Sequence, residues 1–169
     1  MAGLGGAAAL SGASVVTATA AANYDPKVGA ALNLAVGYHF NEWVSAQAGY
    51  IWNRNRIITT QLAAPVFSQT EAERAQHGLS FDGMIYFRPR ADRLRPYLSA
   101  GPAVVNVLDQ RKLGLRVAVG IDIQLRAAWA LRYSFSEVMT ANPFAKTLRP
   151  AAHGRLMNFQ NLFGVVKVF

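Results

Sequence analysis

Residues Leu113 to Leu125 alternate without a break: Leu113, Leu115, Val117, Val119, Ile121, Ile123 and Leu125 are bulky and aliphatic. The intervening Gly114, Arg116, Ala118, Gly120, Asp122 and Gln124 are small or polar. Successive side chains of a strand point to opposite faces, so period-two alternation means a strand with two chemically different faces. Thirteen residues exceed the ~5–6 of a mean globular strand and meet the ~9–11 that a tilted membrane strand requires.

The pattern recurs. Val28–Phe40, Val44–Trp52, Leu79–Phe87 and Trp129–Phe135 each set bulky residues against small or polar ones. Leu94–Val107 and Leu156–Phe169 alternate less cleanly, and Gly3–Gly12 completes a set of eight. The connections alternate in length: long (13–26), short (41–43), long (53–77), short (88–94), moderate (108–112), short (126–128) and long (136–155). Short periplasmic turns and longer extracellular loops between an even number of strands are the rhythm of bacterial outer-membrane barrels. That rhythm places both chain ends in the periplasm. A helical pattern is expected only around Gln69–Gln76.

Composition points the same way. The 169 residues suit one domain, 1–169. The charged share of 15% falls well below the ~25% of soluble domains, and there are nine acids. Such an exterior faces something other than water. Yet no apolar run reaches the ~18–20 residues of a spanning helix. Only helices and closed barrels satisfy every backbone hydrogen bond in lipid. The expected fold is therefore all-β: a closed, up-and-down, antiparallel transmembrane β-barrel of eight strands. Residues 1–22 lack a basic segment before Lys27, so they read as a first strand and loop rather than a signal region. Export requires a signal, which the true start of the chain would carry.

The final stretch, Asn158 to Phe169, ends on an aromatic residue with Gly164 five positions earlier. With the strand rhythm, it resembles the small outer-membrane barrels loosely called OmpA-like or porin-like. The likeness covers nearly the whole chain and rests on architecture rather than a catalytic motif. It implies that Phe163, Gly164, Val165 and Phe169 belong to a C-terminal signal read by the barrel assembly machinery. Lys167 and Leu162 depart from the family pattern, which has a hydrophobic and a polar residue there. Lys167, two residues from the periplasmic end, can snorkel to the interface.

An eight-stranded barrel is just wide enough for side chains to fill it. Asp82, Arg116, Asp122 and Arg132 share the polar register and supply two anions and two cations for interior ion pairs. A turn near Arg126–Ala128 puts Asp122 opposite Arg132. Tyr38, Phe40, Trp43, Phe87 and Trp129 border the short turns, where an interfacial aromatic girdle belongs.

Other chemistry finds little footing. The charge of +8 raises nucleic-acid binding, but the basic residues sit in connections, with no basic helix and no interleaved aromatics. The densest group, Arg88, Arg90, Arg93 and Arg95, lies in a turn-like stretch with Pro89 and Pro96. His39, His77 and His153 lack metal-ligand spacing, and no cofactor is expected. There are no cysteines. Acyl chemistry would need a nucleophile beside a base; Ser134 and Ser136 near Glu137, with a loop histidine, assemble one only on paper. Arg54, Arg56, Arg74, Arg111, Lys112, Lys146 and Arg149 project outward from the long loops, where they would engage lipopolysaccharide phosphates.

The reading is a monomeric, non-enzymatic structural barrel in the bacterial outer membrane, in contact with membrane lipid and presenting surface loops. A narrow channel or carrier for small solutes is the alternative. A soluble, lipocalin-type barrel would turn the aliphatic register inward instead.

Overall fold

The computed structural model describes residues 2–16, 20–26, 30–63, 66–107, 110–126, 128–141 and 155–167, with side-chain surroundings for most of 32–54, 75–106, 111–140 and 159–167. Among the described residues, nine strands follow one another: β1 (Ala2–Val16), β2 (Ala20–Pro26), β3 (Ala30–His39), β4 (Val44–Ala63), β5 (Val66–Tyr86), β6 (Leu94–Val107), β7 (Gln110–Arg126), β8 (Trp129–Ala141) and β9 (Arg155–Lys167). All pairings are antiparallel. From β3 to β9 each strand pairs with the next, while β1 pairs with both β3 and β9. β2 lies between β1 and β4. Continuing the β2–β4 register would set Ala30 opposite Asn53; it faces Arg54 instead, a slip of one residue.

The alternation of β7 becomes an alternation of burial. Leu113, Leu115, Val117 and Val119 are exposed, Leu113 at 73%, whereas Arg116 and Asp122 are 4% and 6% exposed. The same inversion holds on β3, where Leu34 and Val36 are exposed, and on β5, where Phe81 is exposed and Asp82 buried. The soluble reading, aliphatic side inward, is thereby overturned. The outward face would be intolerable in water and is what hydrocarbon requires.

Short turns lie at the end where β1 begins and β9 finishes. Asn41 Oδ1 accepts from the backbone N–H of Trp43 and Val44, both at 2.8 Å, an Asx turn that lets β4 start at once. The Pro89 carbonyl accepts from Asp92 N–H at 3.2 Å in the turn after β5. Periplasmic turns are the short ones in this kind of wall, so this end faces the periplasm.

The other end departs from the sequence expectation. Residues 53–77, expected as a long loop, instead extend β4 and β5 into a ladder that continues to Ala63 opposite Val66. The helix expected around Gln69–Gln76 is part of β5. The β-branched run Ile57–Thr60 favours extended backbone, and hydrogen bonding beyond the bilayer needs no apolar face. The loops expected at 13–26, 108–112 and 136–155 are likewise shortened by β1, β2, β7 and β8.

One ladder skips. β5 pairs with β6 at Ser80–Ala103 and Gly83–Ala100, but not between. Pro102 has no N–H to donate.

Candidate functional site

The inward register gathers its charges in two groups. Asp122 of β7 and Arg132 of β8 are direct cross-strand partners. Arg132 donates from Nε to Asp122 Oδ1 at 2.6 Å and from Nη2 to Oδ2 at 2.7 Å. That bidentate fork adds geometric specificity to charge. Tyr86 of β5 donates to Asp122 Oδ2 at 3.0 Å and accepts from Arg132 Nη2 at 2.9 Å. Arg132 Nη1 also donates to Gln47 Oε1 on β4. Its guanidinium lies 5.1 Å from the centre of the Tyr97 ring.

The second pair is Arg116 and Asp82, joined at 2.5 Å and almost wholly buried. Ser80 Oγ donates to the same carboxylate oxygen at 3.1 Å. These strands are not neighbours, so the contact crosses the interior.

Arg95 caps the periplasmic end. It stacks 4.0 Å from the centre of the Tyr86 ring and donates to the backbone carbonyls of Glu42 at 2.7 Å and Arg88 at 3.4 Å. Two separate turns are held by one side chain. Below Tyr86, His39 Nδ1 and Ser45 Oγ lie 2.5 Å apart. Among the described residues, the void bounded by Asn33, Gln47, Ser99, Arg116, Arg132 and Ser134 measures about 30 Å³, room for roughly two waters. Arg116 Nε borders it without a protein partner, as a group facing buried water would.

On the outward face, Tyr38, Phe40, Trp43, Phe87 and Trp129 are all exposed around the periplasmic rim. Lys167 sits opposite Trp129, its Nζ 5.5 Å from the ring centre. Farther from that rim, Tyr50 and Trp52 on β4 and the stacked Phe135 and Phe159, 5.9 Å apart, also face outward. Sequence reasoning did not single these four out, although Tyr50, Trp52 and Phe135 lie in the apolar registers. It also missed Gln47, Tyr97 and Arg95; the polar register of Tyr86 was the available signal for that residue.

Phe163 and Val165 face outward, Leu162 and Val166 inward, and Gly164 lies opposite Arg132, leaving space to the guanidinium. Phe169 lies outside the described residues. Ser134 and Ser136 are buried inside, while Glu137 takes the opposite register. Strand β8 thus separates the serines from the acid, and His77 pairs outward with Tyr50 at 2.7 Å. His153 is outside the described residues. Of the cations expected in loops, Arg54 and Arg111 are exposed but lie on β4 and β7, and Lys112, in the inward register of β7, is half-buried rather than projecting outward. Arg56 and Arg74 fall on β4 and β5, and Lys146 and Arg149 lie outside the described residues. Among the described residues no acid, histidine or cysteine cluster suits a metal.

An antiparallel sheet curled around paired charges, with its bulky aliphatic side outward and aromatics at its periplasmic margin, is the wall of an integral β-type membrane protein. The chain belongs to the outer membrane protein beta-barrel domain family, whose profile matches residues 2–160, and it is a protein of the bacterial outer membrane. Among solved structures it is similar to Neisserial surface protein A, at 15% identity and a TM-score of 0.61, over 99% of this chain and 96% of that one. The N-terminal β-barrel domain of Pseudomonas aeruginosa OprF matches at 15% identity and a TM-score of 0.49, over 97% and 96%. The outer membrane enzyme PagL matches at 16% identity and a TM-score of 0.42, over 97% and 99%. Such identities speak for the fold alone. No curated protein matches the sequence.

Proposed function

We propose that this protein is a closed barrel of eight wall strands that serves as a non-enzymatic anchor, holding a rigid extracellular sheet and loops above the outer membrane. Closure and strand number are supported by β1, which pairs with β3 on one side and β9 on the other. They are supported too by β2 and β3, consecutive pieces of one wall strand that both pair with β4. The observation that supports the anchoring role is the crowding of the interior among the described residues, where two buried ion pairs border a void of about 30 Å³.

The barrel works as a monomer, inserted by the barrel assembly machinery through its C-terminal strand. At the outer leaflet, Arg54 and Arg111 stand exposed beyond the belt, suited to lipopolysaccharide phosphates.

Planar-bilayer recording tests the role. The purified, refolded protein is expected to give almost no conductance. A steady large conductance would overturn the anchoring role in favour of a narrow solute channel. Charge-neutral replacement of Arg54 and Arg111 is expected to lower retained lipopolysaccharide; unchanged retention removes that contact.

A further inference from the structure

The lipid-facing surface is not uniformly bulky. In one cross-strand row, Tyr38 of β3 faces Ala46 of β4, which faces Gly83 of β5, which faces Ala100 of β6. One step further from the rim, Val36 faces Ala48, which faces Phe81. The exposed Val36 and Tyr38 form one wall and the exposed Phe81 the other. Between them runs a groove of about 490 Å³, floored by Ala46, Ala48 and Gly83. It starts two positions inside Val44 and so lies in the periplasmic half of the belt.

The periplasmic end of the groove meets the aromatic rim and a basic turn. Tyr86 N–H donates to Trp43 C=O at 2.8 Å, holding the turn after β5 beside the turn before β4. Beyond Trp43 and Phe87 come Arg88, Arg90 and Arg93, all exposed. Arg88 reaches Asp92 at 3.2 Å across a solvent-exposed gap, a weak tie in water.

We propose that this groove seats an anionic diacyl phospholipid of the periplasmic leaflet, one acyl chain along Ala46, Ala48 and Gly83 and the phosphate at the arginine turn. The inference rests on the outer-membrane reading with short turns in the periplasm. The surrounding medium supplies the argument for the tail: a recess within hydrocarbon fills with hydrocarbon, since water there would forfeit its hydrogen bonds. Charge supplies the argument for the head. Arg88, Arg90 and Arg93 outnumber the acids of the two adjoining turns, Asp92 and the exposed Glu42, so the rim keeps an excess of positive charge, and the guanidinium fork matches phosphate oxygens. Trp43 sits at the junction, as an interfacial indole does.

Trp43 also provides the readout. In a Trp52→Phe, Trp129→Phe background it is the sole tryptophan, because the chain has three. Reconstituted in phosphatidylcholine nanodiscs, this protein is titrated with phosphatidylglycerol brominated on its acyl chains, and with brominated phosphatidylcholine as reference. Phosphatidylglycerol enrichment at Trp43 is expected to be on the order of fivefold over the reference, the factor that one basic residue near a membrane surface supplies. Filling the groove with Ala46→Phe and Gly83→Leu is expected to abolish the excess, as is Arg90→Gln with Arg93→Gln. Gly83 has room for a side chain, since a Cβ there would lie 3.8 Å from its nearest neighbour, the Ala100 carbonyl oxygen.

Equal quenching by the two lipids in the parent overturns the proposal. An excess that survives groove filling also overturns it, since rim charge alone then attracts the headgroup. Cross-linking of copies through the groove face overturns it in favour of self-association. Heat-modifiable gel migration checks folding. Should the filled variant not fold, mass spectrometry of lipid carried by the unaltered protein through detergent exchange decides: retained phosphatidylglycerol supports the site, and its absence overturns it.

Discussion

Arg132 on β8 donates a hydrogen bond to Gln47 on β4, although three strands separate them in the ladder. Such a bond forms only where the sheet curls far enough to bring the inward faces of β4 and β8 together. Arg132 also holds Asp122 and Tyr86, so one guanidinium joins four strands.

Removal of one partner should therefore cost more than a surface ion pair would. Asp122→Ala leaves a buried guanidinium without its carboxylate and is expected to lower unfolding free energy by about 3–5 kcal/mol. Asp122→Arg combined with Arg132→Asp should recover part of the loss. Urea unfolding in lipid vesicles measures both, and a double variant no better than the single ones removes the pair from the account.

The outward face predicts a gradient of tolerance. Val119 lies midway along β7 and Leu125 near its periplasmic end, both exposed. Val119→Arg is expected to cost about 2–4 kcal/mol, and Leu125→Arg about 0–1 kcal/mol. Equal costs at the two depths would contradict the placement of the belt.

Gly101 is a site of close approach. A Cβ there would overlap the Phe81 carbonyl oxygen and come within 2.9 Å of the Asp82 Cα, backbone atoms that cannot step aside cheaply. Gly101→Ala is expected to destabilise the wall by about 1–3 kcal/mol, as overpacking does. Gly78→Ala, whose Cβ would meet its nearest atom at 4.0 Å, is the control expected to fold as the parent does. Matched urea midpoints for the two variants would refute the assignment.

The upper part of the β4–β5 hairpin stands beyond the ~9–11 residues that cross a bilayer. Replacing 57–72 with an Asn-Gly turn is expected to leave membrane insertion and heat-modifiable migration intact. Loss of insertion would assign the hairpin a part in assembly.

How far the sequence disclosed all this depended on the surroundings of each residue. Within the belt, lipid on one side and a crowded interior on the other enforce alternation, so Leu113–Leu125 announces its strand and the facing of Arg116 and Asp122. Above the belt that constraint lapses. Both faces of Arg54–Gln61 are largely polar, and a ladder there looks from sequence like a loop. Arg95 reads as one more turn cation because its neighbours Arg88, Arg90 and Arg93 are such, although the strand expected from Leu94 includes it; its stacking on Tyr86 and its bond to the Glu42 carbonyl appear only in the folded sheet. Gln47 is a bland polar residue until the sheet curls and delivers it to Arg132.

The inverted placement of side chains has a consequence for how the protein comes into being. In an aqueous compartment, collapse would draw Leu115, Val117 and Val119 together and leave Arg116 and Asp122 at the periphery, the reverse of the finished wall. Water therefore offers no stable precursor of the native packing. Asp122 meets Arg132 for good only when a bilayer takes over the outward residues.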